Sequence, residues 1–384
     1  MAVPFTHRTA STLTLMHNDA IDAIPAQLEA LGIQRPMVLA GRHVREARFF
    51  QRIQALLPTG AYLNPQPLPA HSSLKWVTDT AQLAKQLGTD GFISIGGGSA
   101  SDSAKAVALL LAEGGDLTQH AIRFTPPDQL IAPVLKQPKL PIIAVVCTAS
   151  GSEVTPSLGV SDDHGKKLLF QDLQLTPRVV IIDPVANLEV PIALMLSTGM
   201  NALAHAVEGL YSKQRSPVSE ALALETLHKL PAALLAARAQ PDDLAARSAL
   251  LEAAHLGGLV IANARTCLHH AVCHAIGAYC GVPHGEANAV MLPHALRFNA
   301  AHTQEALSRA AHVWGCGNTP ADLIAAVKTL QQNLQVPHRL RDIGVPQDAL
   351  KPIALKTMGE RGLYFNPRVV LKVEEMEELL AHAY

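Results

Sequence analysis

Apolar residues in the first half of the chain fall in short, nearly unbroken runs separated by amphipathic stretches. Residues 36–40 (PMVLA), 91–95 (GFISI), 140–146 (LPIIAVV) and 179–183 (VVIID) read as buried strands. Helical patterns follow two of them, over 42–57 and 99–113. Strands that are apolar throughout are those of parallel sheets covered by helices on both faces. The expected fold is α/β, with a Rossmann-like doubly wound N-terminal domain.

Beyond Pro184 the strand pattern stops. Ala- and Leu-rich helical stretches take over at 202–211, 219–237, 242–261, 270–279, 304–314 and 320–334, and Pro217, Pro241, Pro283 and Pro337 punctuate the gaps. The chain therefore divides into an α/β dinucleotide-binding domain over 1–187 and an all-helical domain over 188–384. No repeat or low-complexity linker separates them, so the boundary near Asn187 is expected to be packed.

Composition supports this reading. A chain of 384 residues is long for one core, and 48% hydrophobic with 16% charged residues argues against disorder. With 31 Lys+Arg against 32 Asp+Glu the net charge is −1, which gives no electrostatic reason to expect nucleic acid or a membrane surface. A small-molecule partner fits better. The N-terminus lacks a basic segment followed by an apolar one, and the apolar run 104–112 is too short to span a bilayer. Five cysteines without a CxxC fit reduced thiols in a cytoplasmic protein.

The first candidate chemistry is Ser94-Ile-Gly-Gly-Gly-Ser99, which ends a strand and opens a helix. Gly96, Gly97 and Gly98 let the backbone approach a ligand, and the helix start offers N–H groups to a phosphate. Ser99 is expected to cap that helix, with Asp102 as its capping-box partner. A second loop at the same sheet edge, Cys147-Thr-Ala-Ser-Gly-Ser-Glu153, makes Thr148 and Ser152 further candidates for cofactor contacts.

Histidines supply the second candidate. Asn201 and His205 are four apart on a predicted helix, as are His270 and His274, and His284 follows in a turn. Most of the 18 histidines, such as His17 and His228, read as surface or core residues. Two i, i+4 sets and a loop histidine in one domain, however, can converge on a divalent ion or a reacting oxygen.

Four segments carry a resemblance: Gly96-Gly-Gly-Ser-x-x-Asp102-x-x-Lys105, Thr198-Gly-Met-Asn-Ala-Leu-Ala-His-Ala-Val-Glu208, His270-x3-His274 and Pro283-His284-Gly285. With Asn366-Pro-Arg368, they resemble the signatures of the iron-containing (group III) alcohol dehydrogenase family nearly end to end. The resemblance implies a dehydroquinate synthase-like fold with NAD(H) or NADP(H) in the cleft. It places Gly97, Gly98 and Ser99 against the pyrophosphate, and Thr148, Ser152 and Lys167 along the rest of the cofactor. The family's metal ligands, one Asp and three His, fall on Asn201, His205, His270 and His284. His274 matches a histidine beside the nicotinamide that is associated with proton transfer.

Asn201 departs from that pattern. An amide oxygen brings no charge, so affinity for Fe²⁺ or Zn²⁺ should fall. The change, together with Leu268-His-His-x-x-Cys-His274, resembles the maleylacetate reductase branch, which reduces a dicarboxylic 2-ene-4-oxo acid without needing metal. This chain has Ala271 where the branch usually carries Lys, and Ala287-Asn288 where it reads Thr-His. Arg265 or a protonated histidine could supply the positive charge that a dicarboxylate needs.

The first strand ends in Gly41-Arg42 and not in an acidic residue, so NADPH should be tolerated, with Arg42 on the 2′-phosphate. The leading expectation is an NAD(P)H-dependent carbonyl reductase for an oxo acid, expected to be homodimeric. In it His205, His270 and His284 stabilise the oxyanion, and His274 or a water relay supplies the proton. The alternatives are a Fe²⁺ or Zn²⁺ alcohol dehydrogenase and a family member that binds nucleotide without turnover.

Overall fold

The computed structural model describes residues 5, 9–69, 72–162 and 166–384; most of the extreme N-terminus read above for a leader lies outside them. Six parallel strands form the main sheet, in the spatial order Leu13–Met16, Val179–Ile182, Ile142–Val146, Gly91–Gly96, Pro36–Ala40 and Tyr62–Leu63. Their register aligns Ala40 with Ile95 and Gly96 with Val146. Three central strands thus end at one edge. The chain leaves Pro36–Ala40 for the outer strand Tyr62–Leu63 and returns on the other side as Gly91–Gly96. Connections diverge between these two strands, which is where open α/β sheets take their ligands.

The four strands read from sequence lie inside this sheet. The edge strands Leu13–Met16 and Tyr62–Leu63 add to them, as do two antiparallel hairpins, Arg123–Thr125 with Gln129–Ile131 and Ser157–Ser161 with Lys167–Gln171. The helix expected over 42–57 is broken in two at Ala47, which is extended at φ −76 and ψ 147. Glu189 stabilises the break by accepting the N–H groups of Arg48 and Phe49 at 2.8 and 3.1 Å. The glycine-loop helix runs Gly98–Glu113 with Gly97 at its N-cap and no side-chain cap. The expected Ser99–Asp102 capping box is therefore absent; Asp102 Oδ2 instead accepts from Gly159 N at 3.0 Å.

In the helical half, Ile192–Tyr211 starts ten residues earlier than the apolar pattern indicated and is buried almost all round from Met195 onward. A helix apolar on every face belongs at the centre of its domain. Pro217–Ala239, Leu244–Ala264, His284–Asn299 and Gln304–Trp314 pack against it, and Leu268–Cys280 follows Leu244–Ala264 in the chain. Leu244–Ala264 is long and apolar enough to cross a membrane, but 56% of its apolar window is buried here. One continuous apolar cluster joins Val38 and Ile93 of the sheet to Leu203 and Leu250 of the helices.

Polar and backbone contacts tie the halves together. Arg247, 1% exposed, donates to Asn187 O, Asn187 Oδ1 and Val190 O at 3.0–3.2 Å and to Pro241 O at 2.8 Å. Gly151 sits at φ +66, and a Cβ there would lie 2.6 Å from Gly258 Cα. The two halves meet at that point backbone to backbone.

Candidate active site

The loop after Gly91–Gly96 and the loop after Ile142–Val146 face each other across the end of the sheet. A Cβ on Gly97 would lie 2.5 Å from Thr148 Cγ2, so only glycine lets the loops close to this distance. Thr148, Ser150 and Ser152 form a hydroxyl chain with 3.1 Å steps. Ala149 N donates to Thr198 Oγ1 at 3.0 Å, which anchors the loop to the central helix. The result is a cradle of backbone N–H and hydroxyl groups at a helix start, suited to a pyrophosphate. Gly41 and the exposed Arg42 stand at the end of the neighbouring strand.

The central helix presents Asn201, His205 and Glu208 on one face, at i, i+4 and i+7. His205 lies flat on His270, with ring centroids 4.7 Å apart and planes 18° apart. His284 is 5.8 Å from His270 and stacks on His274 at 5.3 Å. The sequence thus brought together Asn201, His205, His270, His274 and His284. His284, read as part of a turn, is the first residue of helix His284–Asn299.

Glu208 holds this cluster in place. Fully buried, it accepts from Cys267 N at 3.0 Å and His269 N at 2.8 Å, and so caps helix Leu268–Cys280 from a neighbouring helix. Its Oε2 also meets His270 Nδ1 at 2.7 Å, and His270 Nε2 meets Asn201 Oδ1 at 2.8 Å. His269 turns away from the cleft: its Nε2 donates to the Asn288 carbonyl at 3.1 Å.

Burial, mutual repulsion and nearby cations hold the histidines neutral. Burial lowers His205, His270, His274 and His284 well below the ordinary histidine value. The positive charge of Lys167, on the hairpin strand Lys167–Gln171, adds to this at His270, His274 and His284. Positive charge beside them comes from Lys167 and, at His274, also from Arg361.

Arg265 ends helix Leu244–Ala264 at φ 79 and ψ 145, a region almost reserved for glycine and held only where the surroundings impose it. The segment after it packs on the 360–368 segment, through Cys267 Sγ to Phe365 O at 3.5 Å and Leu268 N to Asn366 Oδ1 at 3.4 Å. There Arg361 reaches across the cleft to Ser157 Oγ and Gln171 Oε1 at 3.3 and 3.4 Å. Burial and then the Arg265 charge bring Arg361 down to about 10. Glu360 is the one carboxylate among the described residues whose charge raises Arg361, and it is turned to His274 Nδ1 at 3.3 Å. Sequence reading passed over Glu208, Glu360 and Arg361. Glu208 alone had a local signal, its i+7 spacing from Asn201.

Iron or zinc would have to be held by Asn201, His205, His270 and His284. That set has no negative charge. Two donors on one tetrahedral ion would stand roughly 3.4 Å apart, whereas Asn201 Oδ1 and His270 Nε2 stand at a hydrogen-bonding 2.8 Å. Among the described residues the trio of His, Cys, Asp or Glu donor atoms within 4.8 Å of one another is Glu208, His269 and His270. Their atoms are already committed to backbone groups and to each other. The set that would hold an ion thus lacks a carboxylate, and its Asn201 oxygen is taken up by His270.

Comparison with known proteins identifies the family. Residues 11–184 match the family model described as iron-containing alcohol dehydrogenase, and residues 195–384 match the C-terminal model of the Fe-containing alcohol dehydrogenase family. The maleylacetate reductase of Burkholderia cepacia is 32% identical over 365 residues, covering 95% of this chain and 93% of that protein. The NAD-dependent methanol dehydrogenase of Bacillus methanolicus is 27% identical, covering 95% and 96%. The crystal structure of maleylacetate reductase from Agrobacterium tumefaciens superimposes with a TM-score of 0.81 at 27% identity, covering 100% and 98%.

Proposed function

The chain belongs to the iron-containing alcohol dehydrogenase family, and from that premise we propose that it reduces the carbonyl of a small oxo acid, in the manner of a maleylacetate reductase. Family membership makes it a nicotinamide-dependent oxidoreductase acting on CH–OH or C=O groups. The oxo acid is our reading. It rests on one observation: Arg265 and Arg361 carry positive charge into a cleft of neutral histidines, with Glu360 turned away to His274. A buried guanidinium hydrogen-bonded to the neutral groups of Ser157 and Gln171 gains a charge-assisted bond when an anion pairs with it. A substrate carboxylate would supply that anion and fix the carbonyl beside the histidines.

The cradle of Gly96, Gly97, Gly98, Ser99, Thr148 and Ser152 would take the pyrophosphate, with Gly41, Arg42, Asp102 and Lys167 bordering the rest of the cofactor. NAD(P)H would deliver hydride to the carbonyl carbon while the oxygen gains a proton by way of His274 or a bound water. No step is assigned to a metal.

The test is NADH and NADPH oxidation with maleylacetate and with short aldehydes, with and without EDTA, alongside metal analysis of the purified protein. Fast maleylacetate turnover, insensitive to EDTA and with sub-stoichiometric metal, is expected. Aldehyde turnover that EDTA abolishes and Fe²⁺ or Zn²⁺ restores would overturn the proposal.

A further inference from the structure

The family pattern places a metal-binding carboxylate where this chain has Asn201, whose amide brings no charge. What the amide does instead follows from the chain of contacts behind it. Glu208 is fixed by two backbone N–H groups, His270 bridges Glu208 and Asn201, and both imidazole nitrogens are engaged at 2.7 and 2.8 Å.

A neutral imidazole has one proton for two nitrogens, so two arrangements satisfy this chain. In one, His270 donates from Nδ1 to the Glu208 carboxylate, and the Asn201 amide turns to donate one N–H to Nε2. In the other, the proton between Glu208 and Nδ1 rests on Glu208, and Nε2–H donates to Asn201 Oδ1. Either way His270 has no proton left for a ligand. In the first the amide oxygen takes the outward position; only in the second, the orientation observed, with Oδ1 on Nε2, does Asn201 keep both N–H groups uncommitted. Asn201 is 4% exposed, yet its amide nitrogen is not among the sealed, unpartnered polar atoms of the described residues. That nitrogen, with no hydrogen bond among the described residues, therefore keeps some contact with open space beside His270.

We propose that Asn201 is a catalytic hydrogen-bond donor to the substrate's carbonyl oxygen, held in register by the His270–Glu208 chain. The inference rests on the carbonyl-reductase reading above and adds the group that polarises the C=O bond. As hydride from NAD(P)H forms the new C–H bond, the C=O π pair moves onto oxygen. The Asn201 N–H stabilises that developing charge without transferring its proton. The alcohol's proton comes from water, directly or relayed through the neutral His274. His270, read from sequence as an oxyanion donor, becomes a positioning residue, as does Glu208.

The test uses Asn201→Ala and the near-isosteric Asn201→Asp in the full-length protein. NADH dissociation constants, kcat, KM and metal content are measured with whichever carbonyl the unmodified protein reduces fastest. Both variants should bind NADH within threefold of the parent and keep KM within a few-fold. kcat should fall by roughly 10²- to 10³-fold, as on removing one oxyanion donor. Asn201→Asp should stay impaired when Zn²⁺ or Fe²⁺ is added. Asn201→Ala keeping kcat within threefold would overturn the proposal. Asn201→Asp gaining activity with stoichiometric metal would also do so, since the position would then be a ligand site. If the parent prefers aldehydes, the oxo-acid reading fails while the role of Asn201 is still measured on the aldehyde. A parent that reduces no carbonyl overturns both.

Discussion

His274 Nδ1 lies 3.3 Å from Oε2 of Glu360, a carboxyl that burial pushes up to about 7 against the opposing charges of Lys167, Arg361, Lys166 and Lys356. The folded protein therefore holds a proton on Glu360 that the unfolded chain, with an ordinary value of 4.5, has already released. Between these two values the folded state binds more protons, so this group's contribution to stability falls as pH rises toward and through about 7. Glu360→Gln should raise the melting temperature relative to the parent at pH 8 and change it little at pH 5. Equal shifts at both pH values would count against a protonation penalty at this position.

Gly97→Ala should weaken NADH and NADPH binding together. The added methyl would stand 2.5 Å from Thr148 Cγ2, and the two loops can only separate to admit it. Overpacking of this kind costs about 1–3 kcal/mol. A fluorescence titration that gave unchanged affinity would mean that the cradle is not where the cofactor lies.

Arg361→Leu separates the substrate's carboxylate from its carbonyl. Loss of one charge-assisted contact of about 1.5–3 kcal/mol should raise KM for the oxo acid by roughly 10- to 100-fold. Short aldehydes, with no carboxylate to lose, should be reduced nearly as before. A parallel loss on both substrate classes would point to the Ser157 and Gln171 contacts, and hence to cleft geometry.

Glu208→Ala would strip the cap from helix Leu268–Cys280 and leave the Cys267 and His269 N–H groups and His270 Nδ1 without a partner. Stability should fall by about 2–5 kcal/mol. Urea unfolding of the variant against the parent measures this directly, and a loss under about 0.5 kcal/mol, the range of ordinary surface changes, would contradict the capping role.

Arg42→Ala should raise KM for NADPH and leave NADH unaffected, because only the former offers a 2′-phosphate beside the strand end at Gly41. Kinetics with both cofactors decide it; equal effects would make Arg42 a solvated surface residue.

Legibility in the sequence followed the range of each interaction. The central strands were plain because Met37–Ala40, Phe92–Ile95 and Val179–Ile182 are buried on both faces and so leave unbroken apolar runs. Leu13–Met16 and Tyr62–Leu63 are short edge strands with exposed positions, and their pattern is too weak to read. The start of helix Ile192–Tyr211 was obscured by Ser197 and Thr198, whose hydroxyls donate back to Leu194 O inside the helix and so tolerate it. The histidines announced themselves through i, i+4 spacing. Glu208 and Glu360 did not, because their partners lie 59 to 62 and 86 residues away and nothing local encodes such a pairing.

Where Gly151 and Gly258 touch, neither half of the molecule has a side chain to flex, and a built Cβ on Gly151 would also stand 2.7 Å from Ala254 O. Side chains at an ordinary seam change rotamer and let two bodies slide; bare backbone cannot. Sliding of the cofactor half past the helical half would therefore require the two backbones themselves to separate here.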